Sequence, residues 1–269
     1  MKRLTIVKVG GAVVEDERQL AQLLTDFAAI EGAKVLVHGG GRRATKTAER
    51  LGIETKMVEG RRITDAAMLE VVTMVYGGLV NKNVVARLQA LGIDALGLTG
   101  ADANIILSAK RPPVAVKPTD PMDAIGPAID FGFVGDVKKA DGEKLAHFIE
   151  AGLVPVIAPL THDGKGHMLN TNADTMASET AKALAAAGYD VTLVFAFEKP
   201  GVLSNPDDDG SVIASITHDD FVRYRTDGTI SGGMVPKIEN ALAAVDAGVS
   251  RVVITSAKAI DGHHGTVIS

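Results

Sequence analysis

A lysine followed almost at once by paired glycines stands near the start of the chain. The run is Lys8-Val9-Gly10-Gly11, directly after the apolar stretch Leu4-Thr5-Ile6-Val7. Glycine lets backbone N–H groups approach an anion closely and lysine supplies a point charge, so the combination suits a phosphate. A second junction of this kind follows Val35-Leu36-Val37, where His38 leads into Gly39-Gly40-Gly41. Two strand-to-glycine junctions within 41 residues point to one face of a parallel sheet built for charged ligands. Either alone is also what a tight turn or a helix cap uses. Charged and amide side chains recur beside small residues further along, in Gly60-Arg61-Arg62-Ile63-Thr64-Asp65 and Leu169-Asn170-Thr171-Asn172-Ala173-Asp174. Pro200-Gly201-Val202-Leu203 and Ser231-Gly232-Gly233-Met234-Val235-Pro236-Lys237 complete the set.

Two common nucleotide sites are absent. The first predicted strand leads into Ala12-Val13-Val14-Glu15 rather than G-x-G-x-x-G, and no G-x-x-x-x-G-K-[ST] occurs anywhere. Composition narrows the partners. The 269 residues carry 28 Lys and Arg against 33 Asp and Glu, a net charge of −5 that favours neither nucleic acid nor an acidic membrane. Aromatic residues make up 4% with no tryptophan, a poor base-stacking surface. There is no cysteine, hence no disulfide, thiolate metal site or cysteine nucleophile, which fits a cytoplasmic location. The apolar runs fall well short of the ~20 residues of a membrane helix.

Short apolar runs alternate with helical patterns. Strands are expected over 4–9, 35–38, 93–98, 153–157, 191–195 and 251–255. Helices are expected over 15–31, 42–51, 64–91, 142–151, 174–187, 217–225 and 235–247. Gly77-Gly78 interrupts the longest of these near its middle. Residues 102–137, rich in Pro, Gly and Asp, read as β-hairpins protruding from the sheet. The rhythm predicts an α/β fold: a three-layer αβα sandwich around a mainly parallel sheet, two lobes sharing that sheet. Asp207-Asp208-Asp209 reads as a solvated turn, and His38 as a structural residue packed beside the glycines.

The ordered set of motifs closely resembles the amino acid kinase family over roughly residues 4–256. The His38-to-Gly41 run, with Arg62-Ile63-Thr64-Asp65 and Asn170-Thr171-Asn172-Ala173-Asp174, is similar to the branch acting on N-acetylglutamate. The resemblance implies transfer of the γ-phosphoryl of ATP to the γ-carboxylate of an N-acylated glutamate, with Mg²⁺ carried in on ATP and no protein metal ligand. It implies that Lys8 and Lys237 flank the phosphoryl group and that Asp174 orients both. Gly10 and Gly11 would admit the β- and γ-phosphates. Gly40, Gly41, Arg62 and Asn170 would hold the acyl-amino acid, Arg62 rather than Arg61 by its spacing to Thr64-Asp65. Glu198, Gly201, Val202, Leu203, Ile230 and Ser231 would meet the nucleotide. Residues 1–160 would then form the acyl-amino-acid and dimerisation lobe, and 161–269 the nucleotide lobe.

The chain departs from the family in two places. Family members usually carry T-D-V-x-G-V-L at the nucleotide site, where Phe197 and Glu198 replace the polar residue and the aspartate. The final G-T-x-I, here Gly265-Thr266-Val267-Ile268, also arrives early. A homodimer insensitive to arginine is expected, since arginine-sensitive relatives carry an extra N-terminal helix and Lys8 leaves no room for one. Met68, Val71, Val72 and Val75 are the expected dimer face. Other readings stay open: an aspartate or carbamate kinase, the same chemistry on N-succinylglutamate or an aminoadipate derivative, or a non-catalytic nucleotide- or amino-acid-binding regulator.

Overall fold

Runs of β-branched and leucine residues, flanked by glycine, build strands buried on both faces, the signature of a parallel sheet under two layers of helices. The structure, a computed structural model, describes residues 1–58, 60–115 and 128–269. Its main sheet has eight strands: β1 (Lys2–Val9), β2 (Ala33–His38), β3 (Ala95–Leu98), β4 (Val154–Ile157), β5 (Tyr189–Phe197), β6 (Ser215–Ile216), β7 (Arg251–Ser256) and β8 (Thr266–Ile268). Their order is β6-β8-β7-β5-β1-β2-β4-β3, parallel throughout except between β7 and β8. Four further strands, Met168–Asn170, Leu160–His162, Ile106–Lys110 and Gly135–Ala140, form a second sheet in that order. Its strands come partly from the 102–137 segment expected as hairpins. Val114–Ala115 pairs with Ala128–Ile129 beside it, and Val116, expected to extend that piece, lies outside the described residues.

The helices are α1 (Gly11–Glu15), α2 (Glu17–Ala29), α3 (Gly41–Arg50), α4 (Ala66–Val72), α5 (Asn81–Ala90), α6 (Gly142–Glu150), α7 (Ala173–Ala186), α8 (His218–Thr226) and α9 (Met234–Asp246). Alternation along β1 sorts them into layers. Leu4 and Ile6 pack with residues of α6, α7, α8 and α9. Val7 and Val9 face the other way, onto α2 and α5. The three-layer sandwich expected from the βα rhythm is the observed one. The helix expected over 15–31 begins instead at Glu17, behind Asp16, whose carboxylate accepts from the N–H groups of Arg18 and Gln19 and caps α2.

The helix expected over 64–91 is not uniform. Between α4 and α5 the chain runs as a π-helix over Thr73–Val80, the stretch that holds Gly77-Gly78. A Cβ at Gly77 would come within 3.4 Å of the Leu160 side chain and 3.7 Å of Thr99, so this turn packs closely on its neighbours. This segment also corrects the expected dimer face. Met68, Val71, Val72 and Val75 are at most 2% exposed and pack with Ala44, Ala48 and Leu160 in the protein's own core. An apolar stripe serves equally to cover a neighbouring element, and α3 and the second sheet take this one. The exposed apolar side chains on this segment are Met74 and Leu79. Asp207–Asp209 lie in a turn, with Gly210 N–H donating to Asp208 and Lys199 paired to Asp209.

Candidate active site

Lys8 shares its face of β1 with Leu4 and Ile6, so its side chain points toward α7 and not toward α2. There it meets Asp174 in the first turn of α7, Nζ to Oδ1 2.6 Å, with 8% and 14% of the two side chains exposed. The helix start suits a carboxylate, because its unpaired N–H groups carry partial positive charge. Asn172 fixes that start, its side chain accepting from the N–H groups of Asp174 and Thr175. Lys237 comes from the first turn of α9, and Pro236 just before it costs no helical hydrogen bond there. Burial holds the Lys237 ammonium below its ordinary pKa; Asp174 works against that and the Lys8 charge adds to it. Two cations and one carboxylate thus converge at the C-terminal ends of the central strands, where open α/β sheets bind ligands.

Glycines make the adjoining corner. A Cβ on Gly39 would sit 3.1 Å from the Gly11 nitrogen, and one on Gly11 would sit 3.4 Å from the Gly40 nitrogen. A Cβ on Gly40 would be 2.8 Å from the Tyr76 ring. The two loops interlock at backbone distance, bringing the start of α3 beside the start of α1. Gly10 sits one residue before, over the Ala196 carbonyl of β5. His38 braces this corner. It is fully buried, with Nδ1 2.8 Å from the Gly39 carbonyl and Nε2 3.1 Å from the Asn81 amide nitrogen. A neutral ring satisfies both, donating from Nδ1 and accepting at Nε2.

Burial above all pushes the His38 imidazole down to about 4 from its ordinary 6.5. The unfolded chain then binds more protons than the folded one between those values, so stability is full above the upper one and falls as pH drops toward the lower. The expected loss across the window is roughly 3 kcal/mol. His38→Gln removes the titration, so its unfolding free energy in urea should change less with pH over the same range. Equal pH slopes in the two proteins would assign the effect to other groups.

A cavity of about 550 Å³ opens beside the charges, walled by Gly40, Gly41, Arg62, Asn170, Asp174 and Lys237 among others. Arg62 is 9% exposed, whereas Arg61 beside it is exposed. The Arg62 guanidinium donates to the Gly41 carbonyl and Thr45 hydroxyl, both at 2.9 Å, and to Thr55 at 3.3 Å. Asn170 donates its amide to the buried Thr64 hydroxyl at 3.0 Å. The residues expected to bind an acyl-amino acid therefore share one cavity with Asp174 and Lys237.

The residues expected to meet a nucleotide are placed differently. Glu198 is exposed and lies 3.6 Å from Arg42. Val202, Leu203 and Ile230 are buried, and the Val202 N–H donates to Thr266 Oγ1. A Cβ at Gly201 would strike Thr266 and Val212 at 2.8 Å, so this glycine permits close packing against the β8 edge. Ser231 is exposed just before α9. None of these six lines the cavity that holds Arg62.

A family model described as the amino acid kinase family matches residues 3–256. The chain belongs to the amino acid kinase family. It is 62% identical over 267 residues to a protein of Bacteroides thetaiotaomicron named acetylglutamate kinase, covering 99% of this chain and 98% of that one. The acetylglutamate kinase of Parabacteroides distasonis is 60% identical over 266 residues, with 99% of each chain covered. Among solved structures, smu.665 from Streptococcus mutans superposes with a TM-score of 0.75 at 29% identity, covering 99% of this chain and 98% of that one.

Within this amino acid kinase frame, the structure adds residues that sequence reading had not singled out. Tyr76 closes the cavity over Gly40, its phenol raised in pKa by burial and lowered again by Arg62. Arg111 and Asp136 line the same wall as an ion pair, and Arg111 also lies over the Phe131 ring at 5.8 Å. Asn81 ties His38 to the Val156 carbonyl of β4. The glycine at position 40 was the available signal for Tyr76, since a bulky neighbour is one reason for such a residue. Arg111 and Asp136 stand 25 positions apart and gave no local sign.

Proposed function

We propose that this chain is an acetylglutamate kinase. It moves the γ-phosphoryl group of ATP to the γ-carboxylate of N-acetyl-L-glutamate, giving N-acetylglutamyl 5-phosphate and ADP. The observation that carries the reading is the Lys8–Asp174 pair opening onto a cavity shared with Lys237, Arg62 and Asn170. A carboxylate is already ionised at neutral pH, so the nucleophile needs no general base. One of its oxygens forms a bond to the γ-phosphorus as the bond from phosphorus to the bridging oxygen breaks, and ADP leaves with that electron pair. The work is to hold two anions together and stabilise the charge on the transferred group.

Lys8 and Lys237 supply positive charge on either side of the transferring group, with Asp174 setting their positions. Gly10 and Gly11 let the phosphates approach the backbone. Gly40, Gly41 and Asn170 hold the acyl-amino acid, and Arg62 grips its α-carboxylate. Val202, Leu203 and Ile230 have buried side chains, and Val202 bonds Thr266 and Ile213 through its backbone, so these residues shape the nucleotide lobe from beneath. Gly201, Ser231 and the exposed Glu198 edge the same lobe. Among the described residues no group of three or more His, Asp or Glu side chains is spaced to hold a metal. Asp174 is engaged with Lys8, which suits a Mg²⁺ held by the phosphates and water. We place the enzyme in the cytoplasm with its ATP, as a homodimer joined through the Met74 and Leu79 side of the π-helical segment. Light scattering at the monomer mass would overturn that assembly.

Arg111 favours a second reading of the acyl group. It lines the cavity beside Arg61 and Arg62, and an acyl tail ending in a carboxylate, as in N-succinylglutamate, would compete for its guanidinium with Asp136. The decisive experiment mixes the protein with MgATP and each N-acylglutamate in turn and traps the acyl phosphate with hydroxylamine. Hydroxamate from N-acetylglutamate is the expected result. Hydroxamate from the succinyl compound alone would reassign the acyl group. None from any substrate would favour a non-catalytic binding protein.

A further inference from the structure

At the position where the family usually carries a polar residue, this chain carries Phe197, the last residue of β5. Both lysines approach its ring: the Lys237 ammonium is 3.6 Å from the ring centroid and that of Lys8 is 5.0 Å away. Phe195 stacks on it, centroids 6.1 Å apart with the planes 8° from parallel, and Phe195 is itself 2% exposed. The pair therefore forms a short column of rings, rooted in the core and ending in the site. The face of a phenyl ring is negative and attracts a cation within about 6 Å, more strongly where water is excluded.

Lys237 needs such a partner. The charged groups that face it are Asp174 from α7, Lys8 from β1 and Glu198 from just past the end of β5. Asp174 already holds Lys8 at 2.6 Å, and Glu198 is exposed beside Arg42. Without the ring, a half-buried ammonium would face another cation across a carboxylate it does not own. A polar side chain at position 197 would not fill that role. Threonine offers one hydroxyl, whereas the ring offers a broad negative surface that two ammonium groups approach without hydrogen-bond competition.

We infer that Phe197 is a positioning residue for phosphoryl transfer, its ring holding the Lys237 ammonium charged and apart from Lys8 until the phosphates of ATP arrive. The inference rests on the kinase reading above, and it adds the ring to Asp174 as a second hold on Lys237, since the carboxylate is already paired to Lys8 at 2.6 Å.

The test replaces Phe197 with phenylalanines carrying one, two and three ring fluorines, which weaken the negative face while barely changing shape. In the hydroxylamine assay, kcat should fall stepwise with each fluorine, while the KM for the acyl-amino acid stays within about twofold. Phe197→Leu should lower kcat by roughly 5- to 30-fold, the equivalent of one cation–ring contact, and Phe197→Tyr should restore most of it. In parallel, the ¹³Cε signal of Lys237 is followed against pH. Its midpoint should move to lower pH along the fluorine series, a readout that does not require turnover. A flat series in both kcat and the Lys237 midpoint would overturn the inference. So would a Phe197→Leu enzyme that loses thermal stability yet keeps kcat, since that is plain core packing. Absence of hydroxamate from the unsubstituted enzyme would instead overturn the kinase reading and leave the lysine titration to judge the ring.

Discussion

Lys8→Ala and Lys237→Ala are each expected to lower kcat about 100-fold or more, because each removes a fixed positive charge from the transferring phosphoryl group. Their effects on stability should differ, and the difference follows from partnership. Lys8 and Asp174 are both largely buried and only 2.6 Å apart. Removing Lys8 strands a carboxylate away from water, which typically costs on the order of 3–5 kcal/mol. Lys237 carries a charge that burial disfavours and that the Phe197 ring only partly offsets, so its removal should cost much less stability than that of Lys8. The double variant Lys8→Ala with Asp174→Ala should recover much of the lost stability and none of the activity. Steady-state kinetics and urea unfolding on the four proteins check this. Near-normal kcat in either single variant would remove that lysine from the reaction. Equal stability losses from the two would mean that Asp174 does not depend on Lys8.

The βα rhythm was legible because parallel strands covered on both faces leave continuous apolar runs, and because glycine follows several helices. Gly52 and Gly92, for example, close α3 and α5 with φ near +70° and +77°. The π-helix was half legible: Gly77-Gly78 marked an interruption, but eight residues are too few for an altered period to show. The stripe Met68, Val71, Val72 and Val75 misled for a physical reason. A sequence gives the width of an apolar face and not the identity of what covers it, and here α3 and Leu160 do. In the site, Lys8, Arg62, Asn170 and Asp174 were marked by short motifs with fixed spacing. Arg111 and Asp136 were not, since a pair between a residue just past one strand of the second sheet and a residue of its neighbour leaves no local pattern. Phe197 was visible only as a departure. Its relation to Lys237 depends on where α9 packs, which the sequence around Phe197 does not encode.

Arg62→Lys is expected to raise the KM for the acyl-amino acid by roughly 10- to 150-fold, the equivalent of one charge-assisted hydrogen bond of ~1.5–3 kcal/mol. The KM for ATP should hardly move. In the structure the guanidinium is braced by Gly41, Thr45 and Thr55 and lies almost wholly buried at the cavity wall. Those bonds fix its plane before any ligand enters. A carboxylate that takes both prongs of the fork displaces only neutral hydroxyl partners, and the exchange favours the ion pair. Lysine keeps the charge, but its single ammonium cannot brace Gly41 and grip two carboxylate oxygens together. The Gly41 carbonyl belongs to the first residue of α3, so the variant should also loosen the glycine corner. The γ-carboxylate would then sit off line, and in-line attack tolerates little displacement, so a fall in kcat should accompany the change in KM. Glutamate without an acyl group serves as control and should be a poor substrate for both proteins. Kinetics with each substrate varied separately decide the matter: an effect confined to ATP would move Arg62 to the nucleotide side, and no effect on either would leave it a structural brace for α3.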